Sequence, residues 1–262
     1  AICGISDTVN LHISSDNFKI EEMDESHTSF VQLEIDKDDF SEYSFSGGSD
    51  VVLGLNLKEF IKILKCYFNN DTINIKYDSN NSDVLEILFK GSSIERAFRL
   101  KLMTFDKQQL AIPILDYDLE LDISTKLYSN VIESILTTDA KELNFNVKDT
   151  EFDIYAKGDI SDVNLVFIKD NFETNKTINL KTSEGERKLT IKQKPSYKIY
   201  DMRNKFNISF GIQYFKKIAK ANNLVNKLSI NLSENMPIKI DYMLNEDTGS
   251  IITYYIAPKI SD

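Results

Sequence analysis

Residues 53–89 recur without a gap, at a constant offset of 155, as residues 208–244. The stretch LGLNLKEFIKILKC of the first copy aligns with ISFGIQYFKKIAKA of the second. Phe60 matches Phe215, Lys62 matches Lys217, Ile63 matches Ile218 and Lys65 matches Lys220. Downstream, Ile73 and Ile75 match Leu228 and Ile230, and Leu85 and Ile87 match Ile240 and Tyr242. A duplicated unit implies two similar domains with internal pseudo-symmetry. Each copy reads as a short helix, apolar on one side and lysine-bearing on the other, followed by two alternating strands.

With 262 residues the chain is long enough for two domains that each bury a core. No apolar run approaches the roughly 18 residues of a membrane helix, and no secretory signal is read. Cys3 and Cys66 are too few for a disulfide framework and fit a reducing compartment. Two scattered histidines and two cysteines do not make a protein-built zinc site, and neither metal nor cofactor is expected.

The net charge of −10 argues on its own against nucleic acid as a partner, but its distribution does not. At 100° per residue, Lys58, Lys62 and Lys65 fall within about 60° of one another. Leu57, Phe60, Ile61, Ile63 and Leu64 occupy the rest of that helix. In the second copy Lys217 and Lys220 take the places of Lys62 and Lys65, Gln213 replaces Lys58, and Lys216 widens the stripe. One such stripe is usually a solvated face. Two at equivalent positions in an acidic chain point to a surface that tracks phosphates.

Alternating runs are numerous and short. They include Leu11–Ile13, Phe18–Ile20, Phe30–Ile35, Tyr43–Phe45, Ile73–Tyr77, Val84–Phe89 and Phe98–Leu102 in the first half, and a similar set in the second. A further helix over Lys126–Thr138 carries Leu127, Tyr128, Val131, Ile132 and Ile135 on one side and Ser129, Asn130 and Glu133 on the other. The pattern is a duplicated, mostly antiparallel α+β chain. Asp116, Asp118, Glu120 and Asp122 alternate and share one strand face, which could hold Mg²⁺. No nucleophile–base pair or phosphate-binding glycine loop accompanies them, and a solvated strand face explains them better.

Val147, Phe152 and Ile154 match Ile13, Phe18 and Ile20 at an offset of 134. By that offset, counterparts of Leu119–Thr138 would fall before residue 5, so the first copy is expected to lack an opening strand and most of a helix. The change from 134 to 155 places an insertion between Tyr155 and Ile208. It carries Lys181, Arg187, Lys188, Lys192, Lys194, Lys198, Arg203 and Lys205, and reads either as a basic arm or as a long solvated hairpin.

MDESHTSFVQL (Met23–Leu33), LKLMTFDKQQLAIPILDY (Leu100–Tyr117) and TYYIAPKI (Thr253–Ile260), together with NLKEFIKILKC and the Met236-Pro237 strand, resemble eukaryotic sliding clamps of the proliferating cell nuclear antigen family. The resemblance implies a clamp fold of two domains, residues 1–100 and 118–262, joined by a connecting segment, 101–117. Sheets would form the outside and helices line a channel. It implies a homotrimeric ring around duplex DNA, a nuclear address, a clamp loader, and tethered polymerases, nucleases and ligases. No catalysis and no membrane contact are expected.

The same resemblance assigns DNA contacts to Lys58, Lys62, Lys65, Lys216, Lys217 and Lys220. It assigns a partner-peptide pocket to Met23, His27, Phe30, Leu110, Ile112, Pro113, Tyr117, Pro237, Tyr255, Ile256, Ala257 and Pro258. Subunit contacts fall to two edge strands, one with Ala97, Phe98, Arg99 and Leu100 and the other with Val163, Asn164, Leu165 and Val166. Neither carries the proline or inward charge that blunts an edge. The chain departs from the family pattern at Asn130 and Glu133, where basic side chains are usual, at Ile114 and Leu115, and at Asp153, which stands at the family's modifiable lysine. The thinned positive charge keeps a monomeric processivity factor as an alternative reading, and a subunit of a hetero-oligomeric checkpoint clamp is another.

Overall fold

The computed structural model describes residues 2–104, 115–169, 174–182, 185–193 and 196–259, with the backbone alone for 174–182 and 185–193. The chain divides into two compact units, Ala1–Ile114 with Met243–Tyr255, and Leu115–Tyr242 with Ile256–Asp262.

In the first unit a 3-10 turn at Ile2–Gly4 precedes strands β1 (Thr8–Ile13), β2 (Asn17–Met23), β3 (Ser29–Asp36) and β4 (Val51–Asn56). Helix α1 (Leu57–Leu64) follows, then β5 (Thr72–Tyr77), β6 (Val84–Lys90) and β7 (Glu95–Lys101). The strands pair antiparallel, in the orders β3-β2-β1-β4 and β5-β6-β7. Alternation decides which face is buried: Val9, Leu11, Leu53 and Leu55 of one sheet and Leu85, Ile87 and Phe89 of the other meet Leu57 and Phe60 of α1 in a single core. The helix starts where it does because the Asn56 side chain accepts from the Glu59 amide at 3.0 Å, satisfying one of the first-turn donors.

The expected strand at Tyr43–Phe45 does not form. Instead the Tyr43 hydroxyl reaches the carbonyls of Ser14 (2.8 Å) and Asn17 (2.9 Å), and its ring joins Phe40 and Phe18 in an aromatic row. Side-chain anchoring to the β1–β2 turn takes the place of backbone pairing there.

The second unit opens with β8 (Leu119–Ser124) and α2 (Thr125–Leu136). Strands β9 (Glu142–Val147), β10 (Glu151–Lys157), β11 (Asp162–Ile168), β12 (Thr174–Thr182), β13 (Gly185–Gln193), β14 (Tyr197–Met202) and β15 (Phe206–Gly211) follow. Helix α3 (Ile212–Ile218), a 3-10 turn at Ala219–Ala221, β16 (Lys227–Leu232) and β17 (Ile238–Met243) complete the unit. Its strand orders are β11-β10-β9-β15 and β14-β8-β16-β17, and β12 and β13 form a hairpin of their own. Strand β18 (Ile251–Ile256) lies beside β3.

The repeat is visible element by element. Strands β1 and β2 stand 134 residues before β9 and β10, while β4, α1 and β5 stand 155 before β15, α3 and β16. The insertion between them forms β12, β13 and β14, so the hairpin reading describes its backbone. Among the described residues the first unit has no counterpart of β8 or of most of α2. Its turn at Ile2–Gly4 matches Leu136–Thr138, where α2 ends.

Candidate functional site

Helix α1 buries Leu57 and Phe60 and leaves Lys58, Lys62 and Lys65 exposed on the other side. Two of the three are engaged: Lys58 with Asp7 at 2.5 Å and Lys62 with Glu59 at 2.6 Å. Such exposed pairs are worth little and exchange readily for other anions. Helix α3 buries Ile212, Tyr214, Phe215 and Ile218 and ends on Lys216 and Lys217, with Lys220 in the 3-10 turn. Cations at a helix C-terminus are favoured by its partial negative charge. Among the described residues Lys65, Lys216 and Lys220 make no ion pair, so the second helix carries the less compensated positive face. Lys217 Nζ lies 5.6 Å from the Tyr214 ring centre. On α2, Lys126 is exposed alongside Asn130 and Glu133, so this helix presents no basic stripe.

The expected peptide-pocket residues fall in both units. In the first, a tight turn after β2 is closed by the Asp24 carboxylate, which accepts from the Thr28 and Ser29 amides at 2.8 Å each. The turn forces His27 to φ 54°, a conformation that non-glycine residues seldom adopt. His27 is exposed, and its Nδ1 sits 3.1 Å from Met23 Sδ. Phe30 is buried, with its ring 6.1 Å from that of Tyr255. In the second unit Tyr117 is buried and donates its hydroxyl to the Pro237 carbonyl at 3.3 Å. Ile256 is fully buried, while Ala257 and Pro258 are half-buried. Pro258 is followed by Lys259, whose amide donates to Ser209 O at 2.8 Å and fixes the path of the segment. Phe30 and Ile256 are thus each part of the buried interior and not of an exposed surface. Leu110, Ile112, Pro113 and Ile114 lie outside the described residues.

Among the described residues the two expected subunit strands both end their sheets. Strand β7, with Ala97, Phe98, Arg99 and Leu100, is terminal in β5-β6-β7, and β11, with Val163, Asn164, Leu165 and Val166, is terminal in β11-β10-β9-β15. Along each, every second side chain is exposed, and on β11 these include Val166 at 50% and Ile168 at 56%. Apolar side chains beside open backbone groups are what an added strand would cover.

Three of the four alternating carboxylates of β8 and its approach, Asp116, Asp118 and Asp122, are held by local donors. Asp116 takes a two-pronged contact from Arg203 at 2.7 and 3.0 Å, and Asp118 accepts from Asn204 at 2.6 Å and Ser233 at 2.8 Å. Asp122 is bound by Ser229, by Tyr200 at 2.9 Å and by Lys227 at 3.0 Å. Burial alone would raise its carboxyl, but these hydrogen bonds and the Lys227 charge hold it below the ordinary carboxylate value. Among the described residues no three His, Cys, Asp or Glu side chains are grouped to hold a metal ion.

Family comparison decides the relationship. The N-terminal domain of proliferating cell nuclear antigen matches residues 1–110, and its C-terminal domain matches residues 111–259. The chain belongs to the proliferating cell nuclear antigen family. It has the two-domain, mostly antiparallel fold of that family and is a DNA sliding clamp. The family's members are non-enzymatic clamps. Among the described residues no helix of this clamp is long and apolar enough to cross a membrane.

Two features of this clamp escape sequence reading. Pairing of Lys58 and Lys62 with Asp7 and Glu59 requires knowing that the turn before β1 reaches α1, although the i,i+3 spacing of Glu59 and Lys62 is a usable signal. Asp153 is buried and bound to Asn146 at 2.9 Å and Lys148 at 3.0 Å. Of the cations in the insertion, Lys205 pairs with Asp149 and Lys198 lies over the Tyr200 ring.

Proposed function

We propose that the chain assembles into a homotrimeric ring that encircles duplex DNA and tethers polymerases, nucleases and ligases through short peptides. The observation that carries this reading is the pair of terminal strands, β7 and β11, each bearing exposed side chains along an open edge. One edge per unit, repeated around a closed rotation axis, builds a ring without leaving either edge bare.

Lysines 58, 62, 65, 216, 217 and 220 would meet phosphates as point charges that read no sequence. Such contact is weak and salt-sensitive, which suits a protein that moves along DNA. Met23, His27, Phe30, Leu110, Ile112, Pro113, Tyr117, Pro237, Tyr255, Ile256, Ala257 and Pro258 would take the tethered peptide. A clamp loader would open the ring, and the site of action would be the nucleus.

Light scattering over a concentration series tests the assembly. A mass near three times the 30.1 kDa chain is expected. A monomer at every concentration would overturn the ring and favour a processivity factor that holds DNA by charge alone.

A further inference from the structure

Strands β12 and β13 pair along their whole length, from Thr174 opposite Gln193 to Thr182 opposite Gly185. Among the described residues neither pairs with any other strand, so together they make a two-stranded ribbon. Alternation divides the ribbon into two faces. One face takes Lys176, Ile178 and Leu180 from β12 and Arg187, Leu189 and Ile191 from β13. The other pairs Asn175 with Lys192, Thr177 with Thr190, Asn179 with Lys188 and Lys181 with Glu186. The apolar residues fall on the first face, and the second is polar throughout. The charge of the ribbon also runs against that of the chain. Its two strands hold five basic residues and one acidic, whereas the remaining residues hold 26 basic and 40 acidic. Other cations of the insertion are already compensated, Arg203 by Asp116 and Asp201 and Lys205 by Asp149.

We propose that this ribbon is a further DNA contact of the clamp, in which the face holding Lys181, Lys188 and Lys192 meets the phosphates of duplex DNA. It rests on the clamp reading only for its ligand, and it adds to the contacts assigned to α1 and α3. Lysines interleaved with asparagine and threonine are what a phosphate row takes: the cations displace counterions, and the neutral groups donate to phosphate and sugar oxygens. Lys188 and Lys192 stand on one strand, roughly 13 Å apart at about 3.3 Å per residue, and each is paired with an asparagine. A two-stranded ribbon is slim enough to enter the major groove of B-DNA, whose rims are rows of phosphates. Lys176 and Arg187 share the apolar face and take no part in this contact.

The test removes the same charge from each face in turn and titrates a short fluorescent duplex into the full chain at several salt concentrations. Lys188→Gln/Lys192→Gln is expected to weaken binding at least about tenfold at low salt. It should also flatten the dependence of log affinity on log salt by about 1.8, or roughly 0.9 per phosphate. Lys176→Gln/Arg187→Gln should change that slope by less than about 0.5. Lys188→Arg/Lys192→Arg keeps the charge and should bind as the unaltered chain does. Equal losses from the two faces, no loss from the first, or loss in the arginine variant would overturn the proposal. The lysines of α3 serve as the reference. If replacing Lys216, Lys217 and Lys220 by glutamine weakens binding while the ribbon variant does not, this proposal alone fails. If neither variant weakens it, the DNA contacts assigned to α3 fail with it.

Discussion

Ile75 and Ile230 occupy the same position of the repeat, one on β5 and the other on β16, yet one is 40% exposed and the other 5%. Truncating each to alanine therefore asks what the covering element β8–α2 is worth. The change removes three carbons, or about 2.4 kcal/mol when fully buried at ~0.8 kcal/mol per methylene. At Ile230 nearly all of this is lost, and a cavity beneath α2 adds to it, for a total of about 3–4 kcal/mol. At Ile75 roughly 60% of the transfer value applies and water fills the gap, which leaves about 1.5 kcal/mol. Urea unfolding of both variants gives the losses. Because two units need not unfold as one, exchange of the β5 and β16 amides assigns each loss to its unit. Equal losses at the two sites would refute the claim that the β5 face is uncovered.

Neutralising Lys216, Lys217 and Lys220 together to glutamine should weaken binding to duplex DNA and flatten its dependence on log salt by about 0.9 for each phosphate that is no longer neutralised. Titration at several salt concentrations reads both. Val166→Lys places a charge on the open edge of β11 and should move the scattering mass toward 30.1 kDa without changing the circular dichroism. Ser124→Ala removes the side chain that accepts from the Leu127 amide at the start of α2 and should cost about 1 kcal/mol in chemical unfolding. Asp122 is held below its ordinary value, so its contribution is present above the unfolded pKa and lost as pH falls through the folded one. Asp122→Asn should therefore be about 1–3 kcal/mol less stable at neutral pH, with the deficit fading below about pH 4.

The strand and helix boundaries were legible where one face is buried, because period-2 and period-3.6 patterns then record the core directly. Strands β6 and β16 and helices α1 and α3 are of this kind. Tyr43–Phe45 alternates as well, but the Tyr43 ring packs on Phe40 and its hydroxyl binds a turn, so side-chain anchoring and not a ladder holds the segment. The lysine stripes were legible as positions but not as charges, since Asp7 reaches Lys58 only through tertiary folding. The left-handed turn at His27 carries no glycine to announce it. Burial of Asp153 likewise depends on Asn146 and Lys148 across a strand pair, a relation that no local pattern encodes.

The pairing of β3 with β18 sets a clock for folding. Ser29–Asp36 is made long before its neighbour Ile251–Ile256. Likewise Leu119 must wait for Leu232, a delay of roughly 6–20 s at ordinary synthesis rates. Hairpins such as β1–β2 and β9–β10 can close at once, whereas the first unit cannot complete its sheet until β18 is made, nor the second until β17 is made. Nascent chains should hold apolar strand faces open for that interval, which makes synthesis of β18, rather than emergence of β1–β7, the committed step for the first unit.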